Sequence, residues 1–314
     1  MIAPAVRTRH RRVRCAIGAA AGLLAVAAAG ASEIRNTKAS RIVTVGGALT
    51  EIVYALGMEE RLVGIDTTSL YPPHALQQKP NVGYMRQLSA EGVLGLNPEL
   101  IIAIEGSGPK ETLAVLGEAK VPIVTVPESF SEDGIVERIR IIARELGAES
   151  RGACLSEAVT KDLAAMRKQR ERITEPRRIM FVISFVNGRA MVAGKKTAAH
   201  EIIALSGGVN AVDGYEGYKP LSDEAIVASR PDVVLVMQRG RDSISPDAIF
   251  SNAAFALTPA AKDKSFIAMD GLYLLGFGPR TAAAAHDLAI SLYPSLAAND
   301  DMGKPSVLSV NCRQ

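Results

Sequence analysis

The 314-residue chain has no tryptophan, and aromatic residues make up only 4% of it, so each tyrosine in a loop stands out. Histidine is scarce as well. His10 lies in the leader, His74 beside Pro72-Pro73, His200 ahead of a helical run and His286 inside the last helix, and none is paired at H-x-x-x-H spacing. Cysteine is limited to Cys15, Cys154 and Cys312, with no pair at zinc-finger spacing, which excludes the usual zinc centres. There is no G-x-S-x-G nucleophile elbow, so a hydrolase has no support. The glycines after the first strand read Gly46-Gly47-Ala48-Leu49-Thr50, without G-x-G-x-x-G or an acidic partner at the next strand end, which excludes a dinucleotide loop. Beyond the first residues no sign of charge dominates. Lys and Arg alternate with Asp and Glu as on a solvated face, which excludes a nucleic-acid surface.

The first residues read as a cleavable signal peptide, residues 1–31. Arg7, Arg9, Arg11, Arg12 and Arg14 form a positive region without an acidic residue, Cys15 to Ala29 is an apolar core, and Ala29-Gly30-Ala31 is a small-x-small cleavage site. Cys15 sits at the start of the apolar core, where no lipid attachment would occur. The formal charge of +3 owes much to these arginines, so the mature chain is near neutral or slightly acidic. Export places Cys154 and Cys312 in an oxidising compartment that permits a bond between them, although two distant cysteines make no disulfide framework.

What remains repeats its plan once. Val82-Gly83-Tyr84-Met85-Arg86-Gln87-Leu88-Ser89-Ala90-Glu91 is followed by a helix, a proline, an acidic residue and a buried-strand run; Glu216-Gly217-Tyr218-Lys219-Pro220-Leu221-Ser222-Asp223-Glu224 opens the same succession. Short apolar strands at 41–47, 62–66, 100–104 and 123–126 alternate with helices, which argues a parallel sheet covered on both faces. From Ser131 to about Thr174 only helix formers occur, and Leu155, Val159, Leu163 and Met166 mark one long helix that ends before Pro176. The alternation resumes at 178–184, 233–237 and 265–270 and closes with a helix over 281–292. The fold class is α/β, two Rossmann-like lobes joined by a single long helix. Residues 32–147 form an N-terminal lobe, 148–175 the connecting helix and 176–314 a C-terminal lobe. A single helical connection allows less hinge motion than extended strands would.

Tyr84 and Arg86 share a loop on the expected cleft rim. A phenol beside a permanent cation favours the phenolate, a hard anionic ligand suited to ferric iron. Arg239 follows a strand of the second lobe at its carboxyl end, where ligands of α/β sheets gather. Gly276-Phe277-Gly278-Pro279-Arg280 reads as a turn into the last helix. Glu91 and Glu224 each open a helix, where a carboxylate suits the N-terminus. The lobe symmetry also places them on one face, as a pair of acidic knobs for a symmetric partner.

These segments, together with Arg41–Gly57, Gly207–Ala211, Met237–Gly240 and Asp270–Thr281, resemble the periplasmic substrate-binding proteins of the helix-linked class, class III. That group serves haem, cobalamin and ferric-siderophore importers, and within it the resemblance is to the haemin-binding proteins of haem ABC transporters. The resemblance implies a non-enzymatic, monomeric periplasmic carrier of haem b (haemin). Tyr84 is then the axial ligand of the iron and Arg239 lies near the phenolate and propionates, with Arg86 beside them. Glu91 and Glu224 would dock on the inner-membrane permease with its ATPase subunits, downstream of an outer-membrane haem receptor. The strand region Phe181–Asn187 offers no histidine as a further iron ligand, so five-coordinate iron on Tyr84 is expected. Alternatives are a cobalamin or ferric-siderophore carrier of the same fold, or a periplasmic metal chaperone or enzyme.

Overall fold

Ile42, Val43, Thr44 and Val45 are all buried because their strand, β1 (Ile42–Val45), is paired on both edges and covered on both faces. The computed structural model describes residues 1–2, 38–238, 243–297, 305–308 and 310–313. The expected signal peptide therefore lies almost wholly outside the described residues. Residues 35–314 form one unit.

The first sheet uses β1, β2 (Leu62–Ile65), β5 (Leu100–Ile104) and β6 (Ile123–Val126), in the order β2-β1-β5-β6 and parallel throughout. Between β2 and β5 a detached hairpin is made of β3 (Gly83–Tyr84) and β4 (Gln87–Leu88). Alternate residues serve alternate faces, as the pleat requires. Ile42, Leu100, Ile102 and Ile104 join the core beneath the helices Gly47–Ala55 and Glu132–Leu146. Val43, Val45, Ile101 and Ala103 pack on the other face with Val82, Leu88, Val93 and Leu116.

The helix Glu149–Arg170 buries Leu155, Val159, Leu163 and Met166 as their spacing predicts. It ends at Arg170, short of the expected boundary at 175, and strand β7 (Arg178–Val186) begins the second sheet. The remaining strands are β8 (Arg189–Ala193), β9 (Val209–Asn210), β10 (Tyr218–Pro220), β11 (Val233–Gln238) and β12 (Phe266–Asp270). Their order is β10-β8-β7-β11-β12, with β9 beside β7. This sheet departs from the all-parallel expectation, because β8 runs antiparallel to β7 and β10 antiparallel to β8. The cause is local. Asn187 and Gly188 take φ of 51° and 75°, and this two-residue Asn-Gly turn folds β8 back on β7.

One apolar cluster runs from Ile42 and Leu49 through Leu155 and Met166 of the long helix to Ile179, Phe181 and Leu235, so the two sheets share a continuous core through the helix between them. A disulfide joins Cys154 of that helix to Cys312, closing a loop with a sequence separation of 158. In the loop-entropy view a closure of that size disfavours the unfolded chain by about 4–5 kcal/mol.

Candidate functional site

Tyr84 combines a fixed backbone with a free side chain. Gly83 adopts φ 98°, a conformation that suits glycine, and its N–H donates to Asn81 Oδ1 at 2.8 Å. Its carbonyl accepts from the Thr67 N–H at 2.9 Å, which ties the hairpin to the loop after β2. On the other side the Gly108 N–H donates to the Met85 carbonyl and the Leu88 N–H to the Gly108 carbonyl, both at 2.9 Å, which ties it to the loop after β5. Leu88 is buried and anchors the hairpin in the core. Tyr84 is 44% exposed, and among the described residues its hydroxyl has no hydrogen bond. A phenol so held is free to take a ligand.

The loop after β2 is equally fixed. Asp66 is fully buried and accepts from the Gly46 N–H, the Thr68 N–H and hydroxyl, and the Ser69 hydroxyl, at 2.7–3.0 Å. Ser69 in turn meets Thr50, which meets Thr44. This satisfied polar network sets the loop rigidly on the first helix, and the loop holds out Leu70, 47% exposed. The glycine pair noted in the sequence is thereby explained. A Cβ on Gly47 would stand 2.2 Å from the Thr68 carbonyl oxygen and 2.7 Å from Leu272 of the second lobe. Gly47 permits close approach of backbone to backbone and of lobe to lobe.

Gly47 follows β1 and Leu272 follows β12, so the carboxyl ends of the two sheets face each other, the place where α/β sheets gather ligands. Arg86 is exposed on the first-lobe side, and its charge reaches both Glu128, just after β6, and Tyr218 of the second lobe. Glu128 is exposed as a residue, yet partial desolvation raises its carboxyl above its ordinary pKa; Arg86 and Arg138 pull it back, and Glu105 adds to the rise. Tyr218 packs edge-on against Phe181, with centroids 6.5 Å apart. Its phenol is raised chiefly by burial, although the Ala199 N–H and the Thr197 side chain hydrogen-bond it at the start of the helix Ala198–Leu205. The first of the two repeated tyrosines is therefore exposed and free, and the second is half-buried and engaged.

Two arginines, Arg138 buried and Arg280 partly buried, cross between the lobes. Arg138, 2% exposed, donates to the carbonyls of Phe277 at 2.6 Å and Gly276 at 3.3 Å, and to those of Pro127 and Ser129 on its own lobe. Burial lowers its pKa to about 10, against a smaller opposing pull from Glu128. In the opposite direction Arg280 meets Glu51, 4% exposed, at 2.9 Å and lies 3.5 Å over the Tyr71 ring. The Gly276–Arg280 segment thus turns the chain into the last helix, as expected, and also forms the inter-lobe contact, which its sequence did not show. The missed signal for Arg138 was its place among Ile135, Ile139 and Ile142, on one buried face of a helix.

Glu91 and Glu224 each occupy the second position of their helices, Ala90–Leu94 and Asp223–Ser229, one in each lobe and both exposed. The capping oxygens come from Ser89 and Ser222, which accept from the Gly92 and Ala225 N–H groups. The Glu224 carboxyl is held below its ordinary pKa, first by a backbone N–H and then by the Ser222 hydroxyl. Arg239 lies outside the described residues. His74 stacks edge-on with Tyr54, His200 sits beside Asn210, and His286 is buried near Asp287. Among the described residues no three His, Cys, Asp or Glu side chains gather to hold a metal ion.

Comparison with known proteins agrees with this geometry. The structure is similar to the periplasmic heme-binding protein RhuT from Roseiflexus sp. RS-1, with 42% identity, a TM-score of 0.78, and coverage of 82% of this chain and 98% of that one. The ABC transporter substrate-binding lipoprotein YvrC of Bacillus subtilis is 26% identical over 257 residues, 81% of this chain and 80% of its own length. The vitamin B12-binding protein of Pectobacterium atrosepticum is 26% identical over 205 residues, 62% of this chain and 71% of its own. Residues 42–272, which carry both sheets, match the periplasmic binding protein family model, and the chain belongs to that family of ABC-transporter substrate-binding proteins.

Proposed function

We propose that this protein binds haem in the inter-lobe cleft, with the Tyr84 phenolate on the iron, and delivers it to an inner-membrane ABC permease. The observation that carries the reading is Tyr84 itself, an exposed phenol on a doubly anchored hairpin, two residues from the permanent cation of Arg86. Haem is flat and largely apolar, with two carboxylates at one edge. It needs apolar lips, an anionic ligand for ferric iron and cations at the rim. Leu70 and the Tyr84 ring supply the lips, and Arg86 and Arg239 supply the cations. The 42% identity to a haem-binding protein over 82% of the chain supports haem over other macrocycles. Cobalamin is the second reading, because a vitamin B12-binding protein is among the relatives.

Parallel titrations with haemin and cyanocobalamin separate the two. The proposal expects one-to-one haemin binding with a ferric high-spin tyrosinate spectrum, unaffected by excess cyanocobalamin. Saturable cyanocobalamin binding that displaces haemin would favour the second reading.

A further inference from the structure

The segment leading into Tyr84 runs beside the end of β2 as a short parallel ladder. The Ile65 N–H donates to the Pro80 carbonyl at 3.0 Å, the Val82 N–H to the Ile65 carbonyl at 2.9 Å and the Thr67 N–H to the Gly83 carbonyl at 2.9 Å. Asp66 stands between the two residues that make these bonds. Its carboxylate reaches instead to the start of the first helix, Gly47–Ala55, whose first turn has no acidic residue of its own. There Oδ1 accepts from the Gly46 N–H at 2.8 Å and the Ser69 hydroxyl at 3.0 Å. Oδ2 accepts from the Thr68 N–H at 3.0 Å and the Thr68 hydroxyl at 2.7 Å. That hydroxyl in turn accepts from the Gly47 N–H at 2.9 Å. These donors compensate the full burial of the carboxylate, and a helix start favours an anion further.

We propose that Asp66 is a positioning residue for the Tyr84 phenol. It fixes the end of β2 on the helix start, and the ladder passes that position to the hairpin. A carboxylate needed only to cap the helix could come from any residue near Gly46. This one lies between Ile65 and Thr67, so a shift of Asp66 disturbs the bonds to Pro80, Val82 and Gly83. Leu70, the apolar lip, follows in the same loop, where its N–H donates to the Thr68 carbonyl at 2.9 Å. Asp66 therefore sets the lip and the iron ligand as one body. The role rests on the reading of Tyr84 as that ligand.

Asp66→Asn tests it. The two side chains share a shape, but whichever way the amide is placed its NH2 faces a backbone N–H, that of Thr68 or that of Gly46. In the ligand-free variant, peptides over 66–70 and 80–86 should exchange amide hydrogen about tenfold faster than in the parent, while β5, β6 and the second lobe keep the parent's rates. With haemin, the variant should bind about tenfold more weakly and give a broadened high-spin tyrosinate signal by electron paramagnetic resonance. Exchange at the parent's rate over 80–86, or a rise spread evenly through the first lobe, would show a plain stabilising role and overturn the proposal. Tyr84→Phe, titrated alongside, separates this outcome from failure of the haem reading. A spectrum unchanged in Tyr84→Phe overturns both. One changed in Tyr84→Phe but parent-like in Asp66→Asn overturns the positioning role alone. Should Asp66→Asn fail to fold, Thr68→Val removes the hydroxyl between Gly47 and Asp66 and should give the same selective rise on a smaller scale, with Thr68→Ser restoring the parent's rates. Parent rates in Thr68→Val would equally overturn the proposal.

Discussion

Glu128 shows how much a single position can depend on its neighbours. Nothing in Pro127-Glu128-Ser129 distinguishes it from any loop glutamate, yet the fold sets it within electrostatic range of Arg86 and of Tyr218 in the second lobe. Its folded pKa is raised, so its contribution to stability is complete below the ordinary carboxylate pKa and is lost as pH rises through the folded value. Glu128→Gln should therefore match its parent in thermal unfolding near pH 4 and become the more stable of the two toward neutrality. Equal melting temperatures at both pH values would mean that this exposed carboxylate keeps its solvation in the folded protein. Arg239 is the opposite case, expected from the sequence as a cleft cation but outside the described residues, and its role is our proposal. As a rim cation stabilising the Tyr84 phenolate, it should be worth roughly one to a few kcal/mol. Arg239→Ala should weaken ferric haem binding about tenfold or more and shift the spectrum away from tyrosinate at neutral pH. An unchanged spectrum from pH 6 to 9 would transfer that role to Arg86.

At the scale of elements, the lobe contact rests on the helix Glu132–Leu146 and the segment Gly276–Arg280. Phe277 holds φ 48°, a region a bulky residue rarely adopts, and its carbonyl is the closest acceptor of Arg138. Arg138→Met would keep the apolar stem and remove every donor, leaving the Phe277 carbonyl buried without its partner. The expected cost is roughly 2–3 kcal/mol, read as a several-degree fall in melting temperature. A loss below about 0.5 kcal/mol would mean the crossing arginine is dispensable. Sequence reasoning located most elements because their signals are local: β5 and β6 and the helix Thr281–Leu292 occupy the expected residues. The first helix already includes Gly47, where a Cβ would collide with Thr68 and Leu272, a requirement set by residues distant in sequence. Such contacts between distant residues leave no periodic trace. The Asn187-Gly188 pair did leave a local signal for the antiparallel β8, which the expectation of a parallel sheet passed over.

For the whole molecule, the repeat was the most informative signal. It placed Tyr84 and Tyr218 ahead of matched helices, and the structure shows both helices capped by a serine and followed by the central strands β5 and β11. The repeat could not show that the two tyrosines differ in surroundings, because burial of Tyr218 depends on Phe181 and on a helix start far along the chain. Glu91 and Glu224 occupy the same position of those helices, and we propose that they dock on a two-fold permease, chiefly setting orientation and association rate. The double reversal Glu91→Lys with Glu224→Lys should leave haem binding intact while stimulation of the transporter ATPase and haem uptake collapse. Uptake that survives in a normally folded double variant would place docking elsewhere.

The central claim is that Tyr84 holds the iron. The most direct measurement is a ferric haem titration of Tyr84→Phe beside its parent, read by absorption and electron paramagnetic resonance. The hydroxyl is solvent-facing and makes no hydrogen bond among the described residues, so its removal should leave the fold unchanged. The account predicts loss of the tyrosinate signature and a dissociation constant raised at least tenfold, about 1.4 kcal/mol. An identical spectrum and affinity in Tyr84→Phe would contradict it.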